Sequence, residues 1–204
     1  MIFFELEAAD ISALNDADLR ELVARLSEAE LIQRGISSSC VTWGGAQEAP
    51  DGGLDVSIKG ASGISKSNFV PRECTGFQVK KHSIGKSACQ KEMQDRGIPK
   101  TVIADLASQS GAYIIVSGKD DCTEKMRSDR LDGMREAIAS LEAKDQLHLD
   151  FYGRDRLSTW LRLHPSVTLW ARSRLGKPLA GWRPYERWAG TPHDQDDTFL
   201  LMIT

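Results

Sequence analysis

The chain has 204 residues, of which 41% are hydrophobic and 27% charged, and its net charge is −3. This length and composition are typical of a globular protein with one sizeable core and a short extension. No apolar run approaches the 18 residues of a membrane span, and the first residues lack the pattern of a signal peptide. The cysteines match no zinc-binding spacing, and scattered thiols without an export signal favour a reducing cytoplasm. We therefore expect a cytoplasmic protein that does not contact the membrane.

Charge is unevenly distributed along the chain. Residues 1–34 carry eight acids and three bases, residues 59–100 carry nine bases and three acids, and residues 153–188 carry eight bases and two acids. Two basic stretches in an acidic chain are typical of a surface that faces phosphates, although an ordinary solvated surface has the same composition. Charge alone therefore leaves nucleic-acid binding open.

The spacing of apolar residues predicts an α/β (α+β) fold, in which a mixed central sheet is flanked by helices. The first predicted element is an amphipathic helix over residues 19–34. Strands are predicted over residues 38–43, 54–59, 76–81, 112–117 and 147–152. Further helices are predicted over residues 87–96, 100–110, 124–144 and 156–163.

The character of the sequence changes after residue 165. Residues 166–188 contain Trp170, Trp182 and Trp188 among arginines and prolines, which is a composition typical of a linker. The sequence therefore predicts one domain over residues 1–165. Residues 166–204 are predicted to form an Arg/Trp-rich extension or linker toward a further domain.

Three polar side chains fall at corresponding points of two neighbouring predicted strands. Asp55 opens one strand, and Gln78 and Lys80 lie two residues apart on the next, so they share a face. A hairpin between these strands would bring all three to one end of the sheet. Oxygen ligands of this kind hold Mg²⁺ for phosphodiester hydrolysis, and a neighbouring lysine orients the attacking water or neutralises charge on the phosphate. The alternative is the polar face of an ordinary half-exposed hairpin.

Glu30 is a fourth candidate, because it lies on the apolar face of the first predicted helix, between Leu26 and Gln33. A carboxylate in that position is unfavourable unless a cation pairs with it. A metal ion or Lys80 would supply that partner. The alternative is a glutamate at the edge of the stripe whose carboxylate reaches water.

The segment Asp51-Gly52-Gly53-Leu54-Asp55, followed by Gln78-Val79-Lys80, resembles the Mrr-like branch of the PD-(D/E)xK nuclease superfamily. The resemblance implies a restriction-endonuclease-like core and a catalytic site of Asp55, Gln78 and Lys80, with Glu30 as the helix glutamate found in some members. It also implies that Asp55 and Gln78 bind the metal. Asp55 is favoured over Asp51, which precedes two glycines and belongs to the predicted loop. A glutamine in place of the usual acid is a weaker ligand.

A longer string, Val41 through Asp55, resembles N-terminal domains of large bacterial ATP-binding proteins, some of which act in anti-phage defence. The resemblance implies an endonuclease effector domain that cuts double-stranded DNA with Mg²⁺, or with Mn²⁺ in its place. We expect Lys59, Lys81 and Lys86 to contact DNA. The expected protein partners are further domains of a longer chain, and a homo-oligomer is left open. The alternatives are a catalytically silent nucleic-acid-binding module and an oligomerisation module of a larger ATPase.

Overall fold

The computed structural model describes residues 5–44, 53–64 and 69–179 of the chain. Its strands are β1 (Val41–Trp43), β2 (Val56–Ile58), β3 (Thr75–Lys80), β4 (Gln94–Asp95), β5 (Ile98–Pro99), β6 (Ala112–Ser117) and β7 (His148–Tyr152). Its α-helices are α1 (Ala8–Ile11), α2 (Asp16–Gln33), α3 (Lys86–Glu92), α4 (Thr101–Ser108), α5 (Glu124–Ala137), α6 (Arg154–Arg162) and α7 (Pro165–Arg174). Within these described ranges, no helix is both long and apolar enough to cross a membrane.

Five strands form one mixed sheet in the order β1-β2-β3-β6-β7. The strands β1, β2 and β3 are antiparallel neighbours, whereas β6 is parallel to β3 and β7 is parallel to β6. The parallel pairs need helical crossovers, which α3 to α5 supply. The fold is therefore the predicted mixed sheet flanked by helices, consistent with a restriction-endonuclease-like core.

Two apolar layers cover the two faces of this sheet. On one face, α2, α6 and α7 pack over Phe77, Val79 and Tyr152. On the other face, α3, α4 and α5 pack over Tyr113 and Ile115. The strand β6 is buried along its whole length because both layers cover it, as its continuous apolar sequence predicts.

The helix α2 begins and ends close to the predicted points. The Asn15 side chain accepts a hydrogen bond from the backbone N–H of Asp18 at 2.8 Å and so caps the first turn. Acidic side chains at Asp16 and Asp18 favour this end, because the helix dipole is positive there. The cap fixes where α2 begins, and its buried leucines pack it on the sheet.

Three predicted helices, those observed as α3, α4 and α5, are shorter than expected. The chain leaves α3 at Glu92 and forms the hairpin β4–β5, whose turn has positive φ at both Arg96 and Gly97. Such a turn matches the twist of a hairpin and ends any helix that runs into it. The helix α5 ends at Ala137. Within α5, Gly133 is required by close packing, because a Cβ there would lie 2.5 Å from the Lys86 carbonyl oxygen.

Residue 165 marks the start of α7. Val167, Trp170 and Ala171 on this helix are buried with the α2 layer. The described part of the predicted extension therefore packs as part of the core up to α7, because its apolar residues recur at helical spacing. Residues 180–204, with Trp182 and Trp188, lie outside the described residues.

Candidate active site

A cleft of about 560 Å³ opens at the end of the sheet where β3 ends and β2 begins. The start of α2, the end of β1, and residues of α3 and the α4 N-cap complete its wall. Side chains that line it and can carry charge or donate hydrogen bonds are those of Asp16, Arg20, Trp43, Asp55, Gln78, Lys80, His82, Glu92 and Lys100.

Asp55 is held in the cleft by the backbone around it. Gly53 has φ +85°, a conformation that favours glycine, and leads the chain into the start of β2. The Asp55 N–H donates to the Phe77 carbonyl at 2.9 Å. Its Oδ2 accepts hydrogen bonds from Gln78 Nε2 at 2.8 Å and from the Val79 N–H at 2.7 Å. Asp55 Oδ1 takes no part in these bonds and faces Arg20, whose Nε lies 3.1 Å away.

The hydrogen bonds and positive charges around the Asp55 carboxylate offset only part of the cost of removing it from water. Burial raises its pKa, while the Val79 hydrogen bond and the charges of Arg20 and Lys80 lower it, and the net pKa lies above the ordinary value. A carboxylate in this state is stabilised by any further cation that approaches Oδ1.

Gln78 supplies a second oxygen for a cation. Its side chain is buried, its Nε2 is used by Asp55, and its Oε1 has no hydrogen-bond partner among the described residues. A buried acceptor without a partner costs free energy, so it fits a cation ligand. In the described parts of the chain, no three His, Cys, Asp or Glu side chains are grouped to hold a metal. Asp55 and Gln78 offer one carboxylate and one neutral amide, so a divalent cation held by them would also need oxygens from substrate and water.

Lys80 and Lys100 share one carboxylate. Lys80 Nζ lies 2.9 Å from Glu92 Oε2, and Lys100 Nζ lies 3.6 Å from Glu92 Oε1. All three side chains are partly buried. With Asp16, Arg20 and Asp55 they form a cluster of three acids and three bases. Charged side chains of both signs therefore face the cleft, so an ion of either sign that entered it would meet an opposite charge.

Glu30 does not line the cleft. Its Oε1 accepts from Arg34 Nη2 at 2.7 Å, and its Oε2 lies 3.2 Å from Trp160 Nε1 and 3.1 Å from His164 Nε2. Glu30 was expected either to pair with a metal ion or Lys80 or to reach water. It does neither of the last two, because its carboxylate is buried against Arg34, Trp160 and His164. Residue 30 lies ten residues beyond Arg20, about 15 Å along the helix axis.

The three lysines expected to contact DNA lie in different places. Lys81 is exposed one residue beyond Lys80. Lys59 follows the end of β2 that is opposite to Asp55. Lys86 pairs with Glu136 at 2.7 Å. None of the three is among the residues that line the cleft, although Lys81 lies between two that do, Lys80 and His82.

The cleft contains charged residues that the sequence did not single out. Arg20 and Asp16 form an i,i+4 pair on α2, which in a sequence is indistinguishable from an ordinary surface pair. Glu92 and Lys100 are separated by the β4–β5 hairpin, and sequence spacing alone carried no signal for their approach. Trp43 is also on the rim, where it is 40% exposed.

Most arginines in the described part of the second basic stretch have partners within the chain. Arg154 pairs with Asp121. The Arg156 guanidinium stacks 4.3 Å from the centre of the Tyr152 ring, and Arg174 lies 3.3 Å from Glu21. These side chains support the packing of α6 and α7 and are less available to phosphates or to another subunit.

Comparisons of the chain with protein-family models, with curated proteins and with solved structures found no match. The chemistry of the cleft is therefore the basis for a functional interpretation.

Proposed function

We propose that this chain is a metal-dependent DNA endonuclease of the PD-(D/E)xK type, from the Mrr-like branch with glutamine in place of the second acid. The observation that carries the proposal is that Asp55, Gln78 and Lys80 line one cleft, where Gln78 donates a hydrogen bond to Asp55. These are the residues on which the resemblance rests. Their approach across two strands is what a hydrolytic site for phosphodiesters requires.

Asp55 Oδ1 and Gln78 Oε1 would hold the divalent cation. When bound, Mg²⁺, or Mn²⁺ in its place, would lower the pKa of a bound water and shield the charge of the phosphate. Gln78 also donates to Asp55 Oδ2, and so fixes the carboxylate with its other oxygen toward the cleft. The neutral amide makes this a low-affinity site that depends on phosphate oxygens from the substrate.

Lys80 would act on the phosphate directly. Glu92 orients its ammonium group in the cleft, and the positive charge would stabilise negative charge that develops on the phosphate during attack. It would also donate a hydrogen bond that orients the attacking water. Lys81 beside it would contact the neighbouring DNA backbone, where a lysine adds affinity without sequence preference.

The proposed substrate is double-stranded DNA, and the proposed role is that of an effector domain in a bacterial anti-phage defence protein. The second part rests on the similarity of the string from Val41 through Asp55 to N-terminal domains of large ATP-binding proteins. In such a protein the partners would be further domains of a longer chain, and a homo-oligomer would be a means of bringing two such sites to a duplex.

A plasmid-nicking assay in Mg²⁺, in Mn²⁺ and in EDTA tests the proposal. Wild-type protein should convert supercoiled plasmid to nicked or linear DNA with either metal and not in EDTA. Asp55→Ala should lose at least about 10²-fold in rate, the usual scale for removing one essential group from such a site. Asp105→Ala, an exposed aspartate of α4 outside the cleft, is the matched control and should cut normally.

The other outcomes separate the alternatives. Cutting by Asp55→Ala at the wild-type rate would contradict the proposed site. DNA binding without cutting in any metal would identify a silent nucleic-acid-binding module. Self-association without DNA binding would favour an oligomerisation module of a larger ATPase.

A further inference from the structure

Arg20 is positioned on the one oxygen of Asp55 that the fold leaves available. Its Nε lies 3.1 Å from Asp55 Oδ1, and its Nη2 pairs with Asp16. Arg20 Nε is nevertheless buried and accepted by no hydrogen-bond partner in the described ranges of the chain. The contact with Asp55 is therefore a charge pair rather than a directed hydrogen bond. Another cation can replace Arg20 at Asp55 without breaking a backbone hydrogen bond.

A metal ion and Arg20 would need the same place. Asp55 Oδ2 is already occupied by Gln78 and by the Val79 N–H, so Oδ1 is the oxygen left for a cation. A guanidinium and a divalent cation at one carboxylate oxygen repel each other, and in a partly buried cleft this repulsion is weakly screened. Cation binding at Asp55 thus requires that Arg20 move away.

A phosphate group can offer Arg20 the directed hydrogen bonds that its contact with Asp55 lacks. The guanidinium can donate two parallel hydrogen bonds to phosphate oxygens, a geometry that lysine does not provide. The other cations of the inner cleft, Lys80 and Lys100, are both bound to Glu92. Asp16, the second partner of Arg20, has a side chain that is 45% exposed, and so holds the arginine weakly.

We infer that Arg20 is a substrate-binding residue that contacts the phosphodiester in this cleft and that, without DNA, occupies the place of the divalent cation on Asp55. This inference rests on the proposed function and adds the order of binding to it. DNA draws Arg20 from Asp55, and the freed Oδ1 then accepts the metal. By thermodynamic reciprocity, metal at Asp55 strengthens DNA binding by the same factor.

Isothermal titration with Mn²⁺ tests the inference without measuring cleavage. Each protein is titrated alone and with a saturating phosphorothioate duplex that resists hydrolysis. Without DNA, Arg20→Met should bind Mn²⁺ about tenfold more tightly than wild type, because the competing charge is gone. The duplex should tighten Mn²⁺ binding to wild type at least about fivefold, within the usual range for coupled sites. Arg20→Met should show a smaller gain.

Arg20→Gln is a second neutral variant that keeps polar contacts with Asp16, and it should behave like Arg20→Met if the methionine variant fails to fold. Arg25→Met is the matched control, because Arg25 lies on the same helix and pairs with Glu21. It should leave the Mn²⁺ affinity unchanged.

Equal Mn²⁺ affinity in wild type and the folded neutral variants would overturn the inference, as would an undiminished gain on adding DNA. Failure of the proposed function has a different signature. If Asp55→Ala bound Mn²⁺ as tightly as wild type, the proposed metal site itself would be wrong, whatever the behaviour of Arg20.

Discussion

Gln78 and Lys80 lie on one face of β3, but their surroundings assign them different chemistry. Gln78 is buried; its Nε2 donates a hydrogen bond to Asp55, and its Oε1 has no partner in the part of the chain that the structure describes. Lys80 reaches Glu92 and is partly exposed in the cleft. A buried amide oxygen would affect the occupancy of a cation, whereas a positive charge at the phosphate would affect the rate of the chemical step.

Substitution of these two residues should therefore produce different defects in nicking assays across a range of Mg²⁺ concentration. Lys80→Ala should lose about 10²-fold or more in rate even at saturating Mg²⁺. It should still bind DNA, because one phosphate contact among several is lost. Gln78→Ala should need more Mg²⁺ and be partly rescued by it. Gln78→Glu should keep or strengthen metal binding.

Lys91→Ala, an exposed lysine of α3 outside the cleft, is the control for loss of charge. Rescue of Lys80→Ala by added Mg²⁺, together with no response from Gln78→Ala, would reverse the two assigned roles. If neither change affected cutting, the hairpin of β2 and β3 would not be the site of reaction.

At the scale of the element, the two ends of α2 contribute to different parts of the molecule. Its first turns place Asp16 and Arg20 in the cleft, and its last turns place Glu30 in the core. Burial raises the pKa of Glu30, but the hydrogen bond with His164 and the charge and hydrogen bond of Arg34 outweigh it, so the pKa lies below its ordinary value of 4.5. A carboxylate with a lowered pKa stabilises the fold while it is ionised.

Glu30→Gln should lower the free energy of unfolding at pH 7 by about 2 kcal/mol, the scale of a buried charged hydrogen-bond network that loses its charge. The wild-type advantage should be complete above pH 4.5 and disappear as the pH falls through the lower pKa of folded Glu30. Urea unfolding at successive pH values measures this. The folded variant should still cut DNA, because Glu30 lies outside the cleft.

Glu28→Gln, the same change two residues earlier on α2, is the control for both measurements. Normal stability of Glu30→Gln combined with lost cutting would restore the catalytic role expected from the sequence.

At the scale of the whole molecule, α7 closes the core over α2. Trp170 is buried between them, and the guanidinium of Arg25 lies 4.9 Å from the centre of its ring. Trp43, by contrast, is exposed at the rim of the cleft. The two tryptophans therefore test whether a residue after position 165 contributes to the fold.

Trp170→Ala should lower the free energy of unfolding by about 3 kcal/mol, because a large cavity forms between α2 and α7. Trp43→Ala should change it by less than about 0.5 kcal/mol. Chemical denaturation monitored by circular dichroism measures both, since loss of a tryptophan does not obscure that signal. Equal stability of the two variants would mean that α7 is an appendage and not part of the core.

The sequence by itself determined the features that depend on near neighbours. Alternation along a strand places Gln78 and Lys80 on one face whatever surrounds them. The apolar run from Ala112 to Val116 predicts a strand that is buried on both faces, because both sides of such a strand must be kept from water. The order of the strands and helices that build the mixed sheet follows from the same local rules, whereas α1, α7 and the β4–β5 hairpin were not predicted.

Only the tertiary structure decided which helix residues meet the strands. Arg20 and Glu30 both lie on α2. The sequence pointed to Glu30, because it lies on the apolar face of the helix, and not to Arg20. Which of them faces Asp55 depends on where α2 crosses the sheet, and ten residues of helix separate the two by about 15 Å. Glu92 and Lys100 meet because the β4–β5 turn reverses the chain between them. Such contacts arise from packing between segments that are distant in the chain, so the local spacing of residues does not predict them.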